Sequence, residues 1–254
     1  MTFDVQRAGI WKRISAWMFD RILLSILAVG MMWLLSLVTG YDSIGNRYSD
    51  GLVFYEKAYN MSFAVTNDEY QQMSDADRQN WDAAYQALIS DTEVMAAYST
   101  YFRLTIMNIS LSIFIAYLAL EFLVPVLAFG HGRTLGKRVF GLAVMRTEGV
   151  RISGPVFFVR TILGKYTLET MVPVFIILMI YFNQLGIIGL VVLGAYAVLQ
   201  IILLFATANH SPVHDLLSDT IVVDYASQKI YNSREEMIAD INADAKESAA
   251  RDPY

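Results

Sequence analysis

The sequence predicts an all-α membrane protein: a four-transmembrane-helix bundle with both termini cytoplasmic, a helical extracytoplasmic insert and a small cytoplasmic β element. Three observations predict it. Of the 254 residues, 56% are hydrophobic and only 17% charged, and the mean hydropathy is +0.42, outside the usual balance of a soluble domain. The apolar residues come in blocks of about 20 instead of an amphipathic scatter, which is the length a helix needs to cross a bilayer. The charges between the blocks are also segregated by sign. Residues 41–103 carry ten acidic against four basic side chains, a net of −6, whereas residues 131–165 carry seven basic against one acidic, a net of +6.

Residues 1–40 comprise a short polar, basic segment and the first span, residues 14–39. Lys12 and Arg13 precede an apolar run too long for the core of a secretory signal, and no small-residue cleavage site follows it, so it reads as a retained helix. Trp11, Trp17 and Trp33 suit the two interfacial zones of such a span. In residues 41–103, Gly40, Gly45 and Gly51 mark irregular chain at the start. Two or three short helices follow, with Asn67, Ser74 and Asp91 as N-caps.

The second span is residues 104–130, with Glu121 inside it and Pro125 four residues on, where proline removes a backbone donor and loosens the helix beside the carboxylate. The basic loop 131–165 shows short β patterns at 139–145 and 150–153 around a Glu148-Gly149 turn. Residues 156–165 read as a helix lying at the interface with its charges outward. Residues 166–206 form a hairpin of two spans, 166–182 and 187–206, turning at Asn183-Gln184-Leu185-Gly186. In residues 207–254, 220–224 is a further strand that can pair with the earlier one, and a charged helical tail begins at Gln228. The excess of Lys and Arg at the N-terminus and in 131–165 puts both on the cytoplasmic side of four spans, which leaves the acidic insert outside.

Several functions are excluded. With no cysteine there is no thiolate metal site or thiol redox chemistry. His210 and His214 are four apart, but Pro212 between them argues against a helical metal pair. Gly132 to Arg138 lacks the spacing of a phosphate loop. No nucleophile elbow is present, and the basic loop lacks the aromatic interleaving of a nucleic-acid surface. No enzyme constellation, cofactor or metal is expected.

The chemistry lies in ionisable groups at membrane depth, which are costly and read as functional by default. Arg13 and Asp20 are seven residues apart, about two turns, and share a helix face, whereas Arg21 is turned about 100° away. Asp20 lies roughly 9 Å, and Glu121 roughly 13 Å, from the cytoplasmic ends of their spans at 1.5 Å per residue. If they face each other, burial and like charge raise at least one pKa, as proton or cation exchange requires. The plainer reading pairs Asp20 with Arg13, Arg21 or a base of 131–165. Arg13, Arg21, Lys137, Arg160, His214 and Asp215 are candidates for a cytoplasmic gate or for structural ion pairs. Lys137 and Arg138 suit lipid phosphates, and Lys165 with Glu169 forms an i, i+4 pair supporting the third span.

Three motifs resemble the RDD family of membrane proteins, named for one arginine and two aspartates. The first runs from Ala8 to Asp20 and contains Gly9, Arg13 and Asp20; the second runs from Gly132 to Val144, followed by Gly149 and Arg160; the third runs from His214 to Val223. The resemblance assigns the arginine to Arg13, one aspartate to Asp20 and the late aspartate to Asp215, with Asp219 close by. It implies a multi-pass protein of the bacterial cytoplasmic (inner) membrane. It also implies transport, since the family has been proposed to carry unknown ligands and some members resemble or act as sodium/proton antiporters. The long acidic insert departs from shorter members.

Two functions are therefore expected as alternatives. One is a secondary transporter or cation/proton exchanger, handling monovalent cations and protons through Asp20 and Glu121. Four spans leave little room for a pathway in one protomer, so this reading predicts a homo-oligomer. The other is a non-transporting scaffold or accessory subunit that binds a protein partner through its outer insert. Both have the lipid bilayer as partner, and neither involves nucleic acid.

Overall fold

The computed structural model describes residues 6, 8–130, 132–182, 184–207 and 211–251. Four of its helices are long and apolar enough to cross a membrane: Ile10–Thr39, Thr92–Phe129, Gly154–Tyr181 and Gly186–Leu203. The chain divides into two compact units, one of Met1–Ala28 with Ile113–Tyr254 and one of Val29–Ser112.

In the first unit, helix α1 (Ile10–Thr39) begins with its buried residues in one stripe: Arg13, Ala16, Asp20, Leu24 and Ala28. These recur every three or four positions, so one helix face turns inward. Leu24 and Ala28 pack with Ala116 and Tyr117.

The second unit contains the rest of α1 and helices α2 (Tyr41–Tyr59), α3 (Asn67–Gln72) and α4 (Asp75–Ser90), with most of α5 (Thr92–Ala116). Gly40 separates α1 from α2 with a left-handed φ of +65°, a conformation glycine adopts without a Cβ penalty. The expected irregular chain after it is absent, because residues 41–59 form a single helix. Gly45 and Gly51 serve close approach instead of breaking the chain. A Cβ on Gly45 would stand 3.0 Å from the Tyr101 ring, and one on Gly51 would stand 2.6 Å from Val94 Cγ2. Tyr41 stacks on Tyr101 at 4.8 Å, and Tyr48 lies 5.1 Å from Tyr98, so α2 and α5 are zipped by aromatic pairs.

Capping sets the other boundaries. Thr66, not Asn67, caps α3 in a reciprocal box with Glu69. Ser74 caps α4 through Asp77 N–H. Asp91 accepts from the N–H groups of Glu93 and Val94 at the start of α5, as expected. Helix α5 belongs to the second candidate span, Thr92–Phe129.

In the first unit, α5 continues into π-helical turns at Tyr117–Leu123 and Pro125–Phe129, with Glu121 in the first of these. Helix α6 (Leu135–Val139) takes in Val139, the expected start of the strand; strand β1 begins at Leu142 and ends at Arg146. Thr134 caps α6 by accepting from Lys137 N–H. Strand β2 (Thr220–Asp224) pairs antiparallel with β1, Leu142 opposite Asp224 and Arg146 opposite Thr220. Both faces of the pair are buried. Leu142, Val144 and Val222 join Ala8, Ala16, Ile152 and Phe157, while Ala143, Met145, Ile221 and Val223 form the other side with Ile230. The turn at Glu148-Gly149 is present, with Gly149 at φ +86°.

Helix α7 (Gly154–Phe158) passes into a thirteen-residue π-helical stretch, Val159–Met171, and then into α8 (Val172–Tyr181). This corrects the expectation of an interfacial helix at 156–165 with outward charges, because Arg160 and Lys165 are buried. Helix α9 (Gly186–Ala206) follows, packed so close to α8 that a Cβ on Gly189 would lie 2.6 Å from Ile180. Of the expected turn between them, Asn183 lies outside the described residues. Helix α10 (Val213–Ser218) and the terminal helix α11 (Arg234–Arg251) complete the chain.

Candidate functional site

The first unit holds a network of buried ionic groups drawn from α1, the π-helical turns, α6 and α10. Its deepest part is built around Asp215, which is 1% exposed. Asp215 Oδ1 accepts from Arg160 Nε at 2.8 Å and from Thr220 Oγ1 at 2.8 Å, and Arg160 Nη2 stands 2.7 Å away. Arg13 Nη2 and His214 Nε2 approach Oδ2 at 3.7 and 3.6 Å. Burial would raise the pKa of Asp215, but the Arg160 and Arg13 guanidiniums outweigh it, with help from the Thr220 hydroxyl, and hold the carboxyl well below the ordinary range. Two guanidiniums, which stay charged at any working pH, thus fix this aspartate as an anion.

His214 faces Glu169 of the π-helical stretch. Its Nδ1 lies 2.7 and 2.8 Å from the two carboxylate oxygens, and its backbone N–H donates to Oε1 at 3.0 Å. Burial pushes the imidazole pKa down despite Glu169 and Asp215, so the ring at neutral pH is uncharged and carries its proton on Nδ1. Glycine permits this contact: a Cβ on Gly164 would sit 2.6 Å from His214 Cβ and 2.8 Å from its Cα.

Glu121 pairs with Lys165 at 2.5 Å, and Arg21 Nη2 lies 3.8 Å from its other oxygen. Arg21 donates to the Tyr117 hydroxyl and lies 5.1 Å from that ring, and the hydroxyl also meets Thr170 Oγ1 at 2.6 Å. The expected pairing of Lys165 with Glu169 is not formed: Lys165 meets Glu121, and Glu169 meets His214 of α10.

Asp20 is held by the segment that opens α6. Thr134 Oγ1 donates to Oδ2 at 2.5 Å and Gly136 N–H donates to Oδ1 at 2.7 Å. Lys137 Nζ is farther off, 3.9 Å from Oδ2, and donates to Thr134 Oγ1 at 3.2 Å. A Cβ on Gly136 would collide with the Ala16 carbonyl oxygen, so this glycine lets the loop reach α1. Burial pushes the Lys137 ammonium down to about 7, with Lys165 adding to the push and Asp20 and Glu121 opposing it.

The structure therefore places Asp20 with Lys137, and Glu121 with Lys165 and Arg21; each carboxylate has its own cation. It brings Arg13, Arg160, His214 and Asp215 together in one cluster. Asp219 is separate: it lies at the surface with φ +50° and pairs with Arg146 at 3.0 Å, so of the two late aspartates only Asp215 is buried in the network. His131 and His210 lie outside the described residues. Sequence reasoning did not single out Tyr117, Thr134 or Thr220, and read Lys165 and Glu169 as a local pair. The available signal was that Lys165 and Glu169 are ionisable groups in or next to an apolar span.

Among the described residues no group of three or more His, Asp or Glu side chains is arranged to hold a metal ion. Among known families, the RDD family matches the chain over residues 7–219. No curated protein matches it, and neither does any solved structure.

Proposed function

The chain belongs to the RDD family, and from that premise we propose that it is a cation/proton exchanger of the bacterial cytoplasmic membrane, working through Asp20 and Glu121. In this reading both termini and the 131–165 loop are cytoplasmic, the acidic insert is outside, and the chain acts as a homo-oligomer. One observation carries the proposal: the buried carboxylates fall into two chemical classes. Asp215 is clamped by the guanidiniums of Arg160 and Arg13, which do not deprotonate, so that cluster is a permanent staple. Asp20 and Glu121 each face a lysine, and a buried lysine readily gives up its proton. A carboxylate whose ammonium partner becomes neutral has an unmet charge that a monovalent cation satisfies. Exchange of a proton for a cation is the direct consequence.

A second reading has its own support. Each of these carboxylates already holds a cation, which is also what a scaffold with stapled helices requires, its insert then serving an external protein partner. Proteoliposomes separate the two. Vesicles carrying a pH gradient receive sodium, potassium or lithium in turn, with native protein and with Asp20→Asn. Exchange predicts dissipation that needs the cation and disappears in the variant. Folded, inserted protein with no cation-dependent signal would eliminate exchange of these ions and leave the scaffold.

A further inference from the structure

The buried network has more cations than carboxylates. Among the described residues it contains Arg13, Lys137, Arg160 and Lys165 against Asp20, Glu121 and Asp215, and the half-buried Arg21 and Glu169 at its edge add one charge of each sign, five cations against four carboxylates. His214 is neutral with its proton directed at Glu169. A surplus positive charge in a low-dielectric interior is expensive, and the group that sheds it is the one held least firmly. The three arginines cannot shed it, because guanidinium keeps its proton. Lys165 is in direct 2.5 Å contact with Glu121. Lys137 has no comparable partner: its nearest carboxylate oxygen is 3.9 Å away, and that oxygen already accepts from Thr134 at 2.5 Å.

We infer that Lys137 is the proton-exchanging group of this network, an ammonium in one state and a neutral amine in the other, and so a residue of the exchange reaction itself and not a structural partner of Asp20. The inference rests on the exchange reading above. In the step, one Nζ–H bond breaks, the electron pair stays on nitrogen, and the proton leaves to water. The network then contains four cations and four carboxylates, and when a monovalent cation enters in place of the proton the charge is unchanged, so exchange is one for one. The groups facing Lys137 are Asp20 from α1, Thr134 from its own segment, Glu121 from the π-helical turn after α5, and Lys165 and Arg160 from the π-helical stretch after α7. Two like charges and burial act against two carboxylates, which brings its titration to about 7.

The test uses full-length protein in vesicles and compares wild type with Lys137→Arg and Lys137→Met. Cation-dependent proton flux is measured against pH, and tracer cation uptake is measured separately. A second readout is independent of transport: the 13Cε and 15Nζ signals of lysine-labelled protein in detergent, with Lys137 assigned by its absence from Lys137→Arg. The inference predicts one lysine signal titrating near neutral pH that is missing from Lys137→Arg. It predicts at least a tenfold loss of flux at every pH in Lys137→Arg, and cation uptake no longer coupled to protons in Lys137→Met. If wild type exchanges and Lys137→Met keeps coupled flux with an unchanged pH profile, another group carries the proton and this inference is wrong while exchange stands. A Lys137 signal, assigned by its absence from whichever of the two variants folds, that stays charged to about pH 10 also overturns it. If wild type shows no exchange, the parent reading falls and takes this one with it.

Discussion

Gly164→Ala tests whether the π-helical stretch and α10 meet as closely as the network requires. The added methyl would lie 2.6 Å from His214 Cβ and 2.8 Å from His214 Cα, against about 3.5–4.0 Å for an ordinary carbon contact. Since one of those atoms is backbone, the conflict is not relieved by a side-chain rotation. The two segments must separate by about 1 Å. The Arg160–Asp215 contact at 2.7 Å would then open beyond hydrogen-bond range. Overpacking of this kind costs about 1–3 kcal/mol, and weakening a fully buried charge pair adds a fraction of the roughly 3–5 kcal/mol lost when one partner is removed. Alanine returns up to about 1 kcal/mol through helix propensity. The net expectation is about 2–3 kcal/mol, a fall of roughly 4–12 °C in the apparent melting midpoint at this chain length. The assay is thermal unfolding in detergent. The comparison variant is Gly194→Ala in α9, where the new methyl meets nothing within 4 Å and the midpoint should hold or rise slightly. Gly164→Ala melting at or above Gly194→Ala would refute the close approach and the reasoning built on it.

Two further predictions concern stability. In the second unit, Gly51→Ala places a methyl 2.6 Å from Val94 Cγ2 and should cost about 1–3 kcal/mol, seen as faster hydrogen exchange over residues 41–59 of the full chain. Adding Val94→Ala should recover at least about 1 kcal/mol of that, and simple additivity of the two losses would count against the contact. For Asp215, whose carboxyl pKa is depressed, the charged form contributes fully above the ordinary carboxylate range of about 4 and is lost only as pH falls through the lower folded value. Native protein should therefore lose stability in acid. Asp215→Asn should already be about 3–5 kcal/mol weaker at neutral pH and should show a shallower acid slope, both read from melting midpoints between pH 7 and 3.

Where the sequence succeeded as a guide, the signal was local. The stripe Arg13, Ala16, Asp20, Leu24 and Ala28 follows from helix periodicity, and the caps at Ser74 and Asp91 follow from short polar side chains next to free N–H groups. The apolar runs at 14–39, 104–130, 166–182 and 187–206 overlap the four candidate spans because hydropathy sums over neighbours. A non-local success is the pairing of 220–224 with the earlier strand, and there both partners are short apolar segments.

The failures share a different cause. Gly45 and Gly51 have the same residue type whether they break a helix or allow a partner to approach. Only Tyr101 and Val94, more than 40 positions away, decide between those roles. Arg160 and Lys165 read as the outward face of an interfacial helix under α geometry. In the stretch Val159–Met171 both are instead buried against partners, Glu121 and Asp215, that lie 44 and 55 positions distant. What the sequence determined by itself is therefore the family, the apolar helices and the identity of the ionisable groups placed among them, since each of these is a sum over adjacent residues. Which cation faces which carboxylate, and which lysine is left without a close anion, was decided only in the tertiary structure. Coulomb energy depends on distances of a few ångströms between chain-distant groups, and no local pattern encodes those distances.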